Sequence, residues 1–159
     1  GAIEGATENT AVVQALLDNL LARGLDPTVS RLFVVDGAKA LSKAIRRTFG
    51  GDTLIQRCQV HKARNITERI AKPLHASVRK VLRQAWELSD PAKAERLIRN
   101  LARRLEYEAP GVSGSILEGI DEILTVTRLR LPAELRRSLA CNDVGLPNMA
   151  IDRGATQPL

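Results

Sequence analysis

The sequence predicts a short α/β segment followed by an all-helical segment, so that the chain is mostly helical overall. The α/β segment is indicated by a run of apolar residues from Leu32 to Val35 that ends at Asp36-Gly37, and by a second candidate strand at 53–57. A helical pattern lies between them, and strand, helix and strand in this order predict a right-handed crossover between parallel strands. After Cys58 the apolar residues keep helical spacing only.

The elements of the first part follow from spacing and from residues that end a helix or strand. The first helix carries a wide apolar stripe that includes Val12, Leu16 and Leu20, and it ends before Gly24. The apolar run after it is predicted to be a strand buried on both faces. The predicted elements are a helix over 8–23, a strand over 32–36, a helix over 38–49 that ends at a Gly-Gly pair, and a strand over 53–57.

The second part reads as five helices. The clearest begins with Asp90 as the capping residue and Pro91 at the first helical position. Ile116, Ile120 and Ile123 keep helical spacing in the next one. The predicted helices cover 60–71, 75–88, 91–108, 113–126 and 133–139.

These patterns divide the chain into residues 1–60, with the strands, residues 61–140, which are helical, and residues 141–159. The last part loses all periodicity and gains Gly145, Pro147, Gly154 and Pro158. We expect it to be disordered or poorly packed.

Positive charge is concentrated in the middle of the chain. The 159 residues carry a formal charge of +6. Between residues 39 and 83 twelve Lys or Arg face only Asp52 and Glu68, which leaves a local charge of +10. Such a block favours a polyanion as partner, although a solvated set of basic helix faces would give the same composition.

Two further features of the composition bear on compartment. No apolar run is long enough to cross a membrane, and we expect no membrane partner. Cys58 and Cys141 make no disulfide framework, so a reducing cytoplasm is the expected location.

Asp36 is the first candidate for chemistry, because it ends a predicted strand where the chain turns into a helix. Ligands of open α/β sheets bind beyond the carboxyl ends of strands, and a carboxylate there can hold a divalent metal ion. The alternative is that Asp36 only caps the following helix, which its residue type favours.

Cys58 and His61 have the spacing of half a zinc site. Closing that site takes two more ligands, and the remaining candidates, His75 and Cys141, are isolated in the sequence. We therefore predict that Cys58 is a small buried side chain at a strand end. His61 is predicted on the first turn of the next helix.

Two motifs together resemble the signature of bacterial Mutator-type insertion-sequence transposases. They are Asp36-Gly37-Ala38-Lys39 and, about twenty residues later, Gln56-Arg57-Cys58-Gln59-Val60-His61. The resemblance extends over about residues 1–140, from the segment 4–9 ahead of the first helix to the segment 124–139. Ala40 and the Gly50-Gly51-Asp52 loop depart from the family pattern at surface turns, where changes cost little.

The resemblance implies that residues 1–60 are part of a ribonuclease-H-like catalytic core and that residues 61–140 are the helical insertion of such enzymes. Their three carboxylates hold Mg²⁺ or Mn²⁺ for cutting and joining DNA. By resemblance Asp36 is the second carboxylate and a metal ligand. Gln56, Arg57, Cys58 and His61 form the family motif. The side chains implied in holding the DNA backbone are Lys39, Lys43, Arg46, Lys62 and Arg64.

The sequence departs from the family where the other two carboxylates should lie. No Glu follows Glu134, and the first carboxylate belongs upstream of Gly1. We interpret the chain as an internal fragment with a frame-shifted tail, inactive by itself and unable to bind metal tightly. Expected partners are transposon ends, target DNA, a second copy or an intact transposase near the nucleoid. A basic helical module that binds nucleic acid or a transposase without catalysis is the alternative.

Overall fold

The computed structural model describes residues 10–140. The helices α1 to α9 and the strands β1 and β2 follow the predicted order. In chain order they are α1 (Thr10–Ala22), β1 (Leu32–Val35), α2 (Lys39–Phe49), β2 (Leu54–Arg57), α3 (Gln59–Thr67), a 3-10 turn (Lys72–Leu74), α4 (His75–Glu87), α5 (Pro91–Glu108), α6 (Val112–Leu117), α7 (Ile120–Ile123), α8 (Thr125–Arg128) and α9 (Ala133–Leu139).

The predicted pair of parallel strands is confirmed. β1 and β2 form a two-stranded parallel sheet in which Leu32 lies opposite Leu54 and Val35 lies opposite Arg57. The expectation that β1 is buried on both faces is wrong for three of its four residues, because Val35 alone is fully buried. The described residues supply one partner strand for β1 and leave its other edge unpaired.

Buried apolar side chains form two clusters. The smaller one joins α1, α2 and the sheet, and its members are Leu17, Val35, Ala44, Ile45 and Ile55. The larger one lies entirely within the helices after β2 and includes Ile66, Leu82, Ile98, Leu105 and Ile116. Each cluster is built from Leu, Ile, Val and Ala, as a chain with 3% aromatic residues requires.

The helix predicted over 113–126 is interrupted, which corrects the sequence interpretation. Gly119 has a left-handed backbone with φ of 67°, and Glu118 before it is extended. The chain therefore forms the three short helices α6, α7 and α8. The apolar residues keep helical spacing across these breaks. Spacing alone therefore did not reveal them, because it does not show which backbone groups distant side chains bind.

One other helix end differs from its predicted position. The helix predicted to reach residue 71 ends at Thr67, where the chain tightens into turns closed by Arg69 N–H to Ile66 C=O and Ile70 N–H to Thr67 C=O. Such three-residue hydrogen bonds are common at helix ends. The start of α5 is as predicted, since Oδ1 of Asp90 accepts hydrogen bonds from the N–H groups of Ala92 and Lys93 at 2.9 and 3.2 Å.

The predictions for Cys141 and for the tail 141–159 lie outside the described residues. Within the described part, no helix combines the length and the apolar character that crossing a membrane would require.

Candidate functional site

Asp36 lies directly after β1, at the carboxyl end of the parallel sheet. Its side chain is half-buried, and its Oδ1 accepts a hydrogen bond from the N–H of Ala38 at 3.0 Å. Gly37 between them has φ of 107°, a backbone conformation that residues with a β-carbon rarely adopt. The carboxylate thus fixes the turn that leads into α2. It is a turn bond ahead of the helix and not a helix cap, because α2 begins at Lys39 and its N-cap residue Ala38 receives no side-chain cap hydrogen bond.

The second strand brings its own motif to the same edge. The N–H of Cys58 donates to the carbonyl of Val35 at 2.6 Å, which carries the pairing of β1 and β2 one residue past the end of β2. Asp36 and Cys58 therefore leave the sheet side by side. Cys58 is fully buried and His61 is half-buried on the first turn of α3.

Arg57 is the last residue of β2, and its side chain is 7% exposed. The guanidinium lies between two glycines that are far apart in the sequence. A β-carbon added to Gly37 would lie 2.0 Å from Nε of Arg57, and one added to Gly119 would lie 2.8 Å from its Nη1. Both glycines have positive φ. The Arg57 side chain thus occupies space that any other residue at 37 or 119 would take.

Lys62 is buried, which removes it from the set of side chains that a DNA phosphate can reach. It is 3% exposed, and its Nζ donates to the carbonyls of Ser115 and Glu118 at 2.5 and 2.6 Å. Burial lowers the pKa of Lys62 to about 8, and the charge of Arg57 acts in the same direction. The helical position of Lys62 turns its ammonium toward the C-terminal end of α6 rather than toward solvent.

Gln56 connects β2 to the break between α7 and α8. It is completely buried, and its Nε2 donates to the carbonyls of Ile123 and Arg57 at 3.0 and 2.7 Å. Its Oε1 accepts from the N–H of Val126 at 3.0 Å. Oγ1 of Thr125 donates to the carbonyl of Ile55 at 2.6 Å. These bonds join the helical segment to the strand.

The remaining cations of the predicted DNA-binding set lie nearer to solvent. Lys39 is paired with Glu118 at 2.6 Å, and Arg46 is paired with Glu122 at 3.0 Å. The hydrogen bond from Lys39 holds the pKa of the Glu118 carboxyl below its usual value. Lys43 on α2 and Arg64 on α3 are exposed. The sequence patterns did not reveal Glu118 and Glu122 as partners, because they come nearly eighty residues after the cations that they neutralise.

A groove on α5 was also missed. It has a volume of about 440 Å³, and the residues that line it include Arg96, Arg99, Arg103 and Leu117. Arg99 is paired with Glu95 at 2.7 Å. The sequence does show these arginines three and four positions apart, which places them on one face of a helix, but they lie beyond the basic block at 39–83.

The residues described do not by themselves fit a magnesium site. Asp36 supplies one carboxylate at the sheet edge, and among residues 10–140 no group of three or more His, Cys, Asp or Glu side chains is close enough to hold a metal ion. Magnesium dehydrates reluctantly and is normally anchored by more than one ligand.

The chain thus has a parallel α/β unit with the carboxylate of Asp36 at the carboxyl end of its sheet, and hydrogen bonds join this unit to a helical segment. The family model described as transposase, Mutator family, matches residues 1–149. The chain belongs to the Mutator family of transposases. The match continues past the point where the composition changes near residue 141.

A curated relative gives the same answer. The chain is similar to the transposase for insertion sequence element IST2 of Acidithiobacillus ferrooxidans, with 27% identity over 121 residues. The alignment covers 76% of this chain and 40% of that protein, so the chain spans less than half the length of the relative. No solved structure matches the chain.

Proposed function

We propose that this chain contributes part of the catalytic core of an enzyme that cuts and joins DNA at the ends of a mobile element. Asp36 would be one of its metal-binding carboxylates. The observation that carries the proposal is the placement of Asp36 at the carboxyl end of a parallel strand, beside the start of the Cys58 segment. In open α/β sheets this edge is where ligands bind. Family membership supplies the reaction class.

In this proposal a divalent ion would activate the attacking oxygen and stabilise the leaving oxygen of a phosphodiester. Asp36 would be one ligand, and the other carboxylates would come from outside the described residues. The 159-residue chain by itself is then expected neither to nick nor to join DNA. Incubation with a plasmid that carries the ends of the source element, with Mg²⁺ or Mn²⁺, tests this. Nicking that Asp36→Asn abolishes would contradict the expected inactivity.

The role of Asp36 is tested by weak metal binding, which does not need catalysis. In an NMR titration with Mn²⁺ we expect paramagnetic broadening of the Gly37 and Ala38 amides at lower ion concentration than elsewhere. Asp36→Asn should abolish it, whereas Asp52→Asn, a matched change in an exposed loop, should leave it intact. Equal broadening at all exposed carboxylates would reject Asp36 as a metal ligand.

Lys39, Lys43, Arg46 and Arg64 are proposed to hold the DNA backbone. The ion pair of Lys39 with Glu118 does not prevent this, because exposed pairs are worth at most about 1 kcal/mol and can be exchanged for a phosphate. The pair of Arg46 with Glu122 is partly buried, so Arg46 would have to release that carboxylate before it binds a phosphate. Phosphate contacts position the duplex and carry no sequence information.

Salt dependence measures these contacts in the chain as it stands. For a short DNA duplex, the logarithm of the binding constant falls with the logarithm of salt by about 0.9 per phosphate neutralised. Lys43→Gln should lower the slope by roughly that amount. Lys93→Gln, an exposed lysine at the start of α5 and next to Asp90, should leave it unchanged. Identical slopes for both variants would exclude Lys43 from the DNA surface.

The second candidate is a nucleic-acid-binding module without catalysis. The observation that favours it is the separate apolar cluster of the helical segment, which gives that segment a core of its own beneath an arginine-lined groove. It is distinguished by the Mn²⁺ titration: salt-dependent DNA binding, without metal binding at Asp36, would support this candidate over the first.

A further inference from the structure

We infer that Arg57 is a positioning residue whose guanidinium holds the Asp36-Gly37 turn and the Gly119 break of the helical segment in one fixed arrangement. The inference rests on the role proposed for Asp36, because it states what keeps that carboxylate in place.

The first support is the fit between the guanidinium and the two glycines. Gly37 and Gly119 both have positive φ, and at each of them a β-carbon would lie under 3.0 Å from an Arg57 atom. Other glycines with positive φ, such as Gly50 and Gly111, have nothing within 4 Å of the same position. A left-handed turn alone therefore does not explain the close approach. Arg57 packs against the backbone at 37 and 119 specifically.

The second support is the set of contacts that meet at Glu118. Its carbonyl accepts from Nζ of Lys62 at 2.6 Å and from Nη1 of Arg57 at 3.5 Å. Its carboxylate is paired with Lys39, which follows the Asp36 turn by three residues. The β2–α3 segment thus binds the backbone of Glu118, and the start of α2 binds its side chain. The Asp36 turn, the end of β2 and the 118–119 break form a closed set of contacts.

The third support is the chemistry of the side chain. A planar guanidinium can lie flat between two backbone segments and still donate from its edge, whereas a lysine ammonium is a compact charge on a flexible stem. A buried cation is costly unless its surroundings compensate it. Arg57 and Lys62 are both buried, and the charge of Arg57 acts on Lys62. We attribute this costly arrangement to the role of Arg57 in holding the two turns in place.

The packing is tested by adding a methyl group at each glycine of the 159-residue chain. Gly119→Ala and Gly37→Ala should raise the unfolding equilibrium constant by about tenfold more than the controls, because overpacking adds to the strain of positive φ. Gly111→Ala is the control for Gly119 and Gly50→Ala is the control for Gly37, since their φ values are similar and the space around them is open. Equal losses in target and control would overturn the packing argument.

A double-variant cycle assigns the effect to Arg57. Arg57→Met keeps the aliphatic stem and lacks Nη1, so Gly119→Ala should be no worse than Gly111→Ala in that background. An unchanged penalty would show that Arg57 is not the obstacle. If Arg57→Met is too unstable to measure, Arg57→Lys serves the same purpose, because lysine also lacks Nη1.

Amide hydrogen exchange separates positioning from general support of the fold. The Ala38 N–H reports the Asp36 turn through its bond to Oδ1, and the Cys58 N–H reports the strand pair through its bond to Val35. Arg57→Met and Arg57→Lys should each accelerate exchange at Ala38 about tenfold more than at Cys58, as expected for local opening. Equal acceleration at both amides would mean a merely structural role and would overturn the inference.

These measurements use neither metal nor DNA. Failure of the Mn²⁺ titration at Asp36 would remove the proposed function and leave the Arg57 contacts measurable. Failure of the glycine and exchange experiments would remove the positioning role and leave the metal-binding role of Asp36 to be judged by its own test.

Discussion

Replacing Gln56 with leucine should destabilise the chain strongly, although the two side chains have similar size and the site is fully buried. Gln56 binds the carbonyl of Ile123 and the N–H of Val126, both of which lie at the break between α7 and α8. Ile123 and Val126 are 2% and 1% exposed. A leucine side chain has no polar group that could replace the lost amide.

The expected magnitude follows from the groups left without a partner. An unsatisfied buried donor or acceptor costs about 1–3 kcal/mol, so the two groups cost about 2–6 kcal/mol together. The apolar surface of the new leucine returns up to about 2 kcal/mol. With that full return subtracted, the net loss reaches about 4 kcal/mol, which is a large part of the about 5–15 kcal/mol that stabilises a typical domain.

The assay is urea unfolding followed by far-UV circular dichroism. At a slope of about 2 kcal/mol per molar urea, Gln56→Leu should lower the midpoint by up to about 2 M. The matched control is Gln84→Leu on the exposed face of α4, which should stay within about 0.5 kcal/mol of the parent chain. If both variants unfold at the same urea concentration, the network around Gln56 does not fasten the helical segment to β2.

Two further predictions concern Lys62 and Asp90. Because the folded-state pKa of Lys62 is about 8 and the ordinary value is 10.5, the unfolded chain binds more protons between these values; stability should therefore rise with pH across that window, by up to about 3 kcal/mol. The measurement is the urea midpoint from pH 7.5 to 10.5. Lys62→Met should flatten the rise in this midpoint, and Lys80→Met at an exposed position should not. A parallel rise in both variants would contradict the lowered pKa of Lys62. Asp90→Ala should lower the free energy of unfolding by about 1 kcal/mol through loss of the α5 cap, and no change in the thermal midpoint would count against that role.

The candidate site was predictable to the extent that it depends on local features. The apolar run before Asp36 and the following glycine indicate a strand that ends in a turn, and the structure has both. Cys58 is buried and His61 lies on the first turn of α3, as expected from their position after the second strand. The carboxylate at the sheet edge follows from these elements, since parallel strands present their carboxyl ends on one side.

The surroundings of the site were not predictable from the same patterns. The family resemblance implied that Lys62 faces DNA, and the structure buries it against Ser115 and Glu118. Glu118 and Glu122 were not recognised as partners of Lys39 and Arg46. The charge of a residue is visible in the sequence, but its partner depends on which helix packs against it.

The amino-acid sequence by itself determined the order of strands and helices, the cap of α5, the excess of positive charge and, through two motifs, the family. The elements and the cap depend on residues within a few positions of one another, where backbone preference and hydrophobic period act directly, and the charge and the motifs are read from residue identity alone. The tertiary structure alone decided that the apolar pattern over 113–126 breaks at Gly119 and that Arg57 fills the space beside it. Those outcomes depend on a contact between residues about sixty positions apart, and no local preference specifies such a contact.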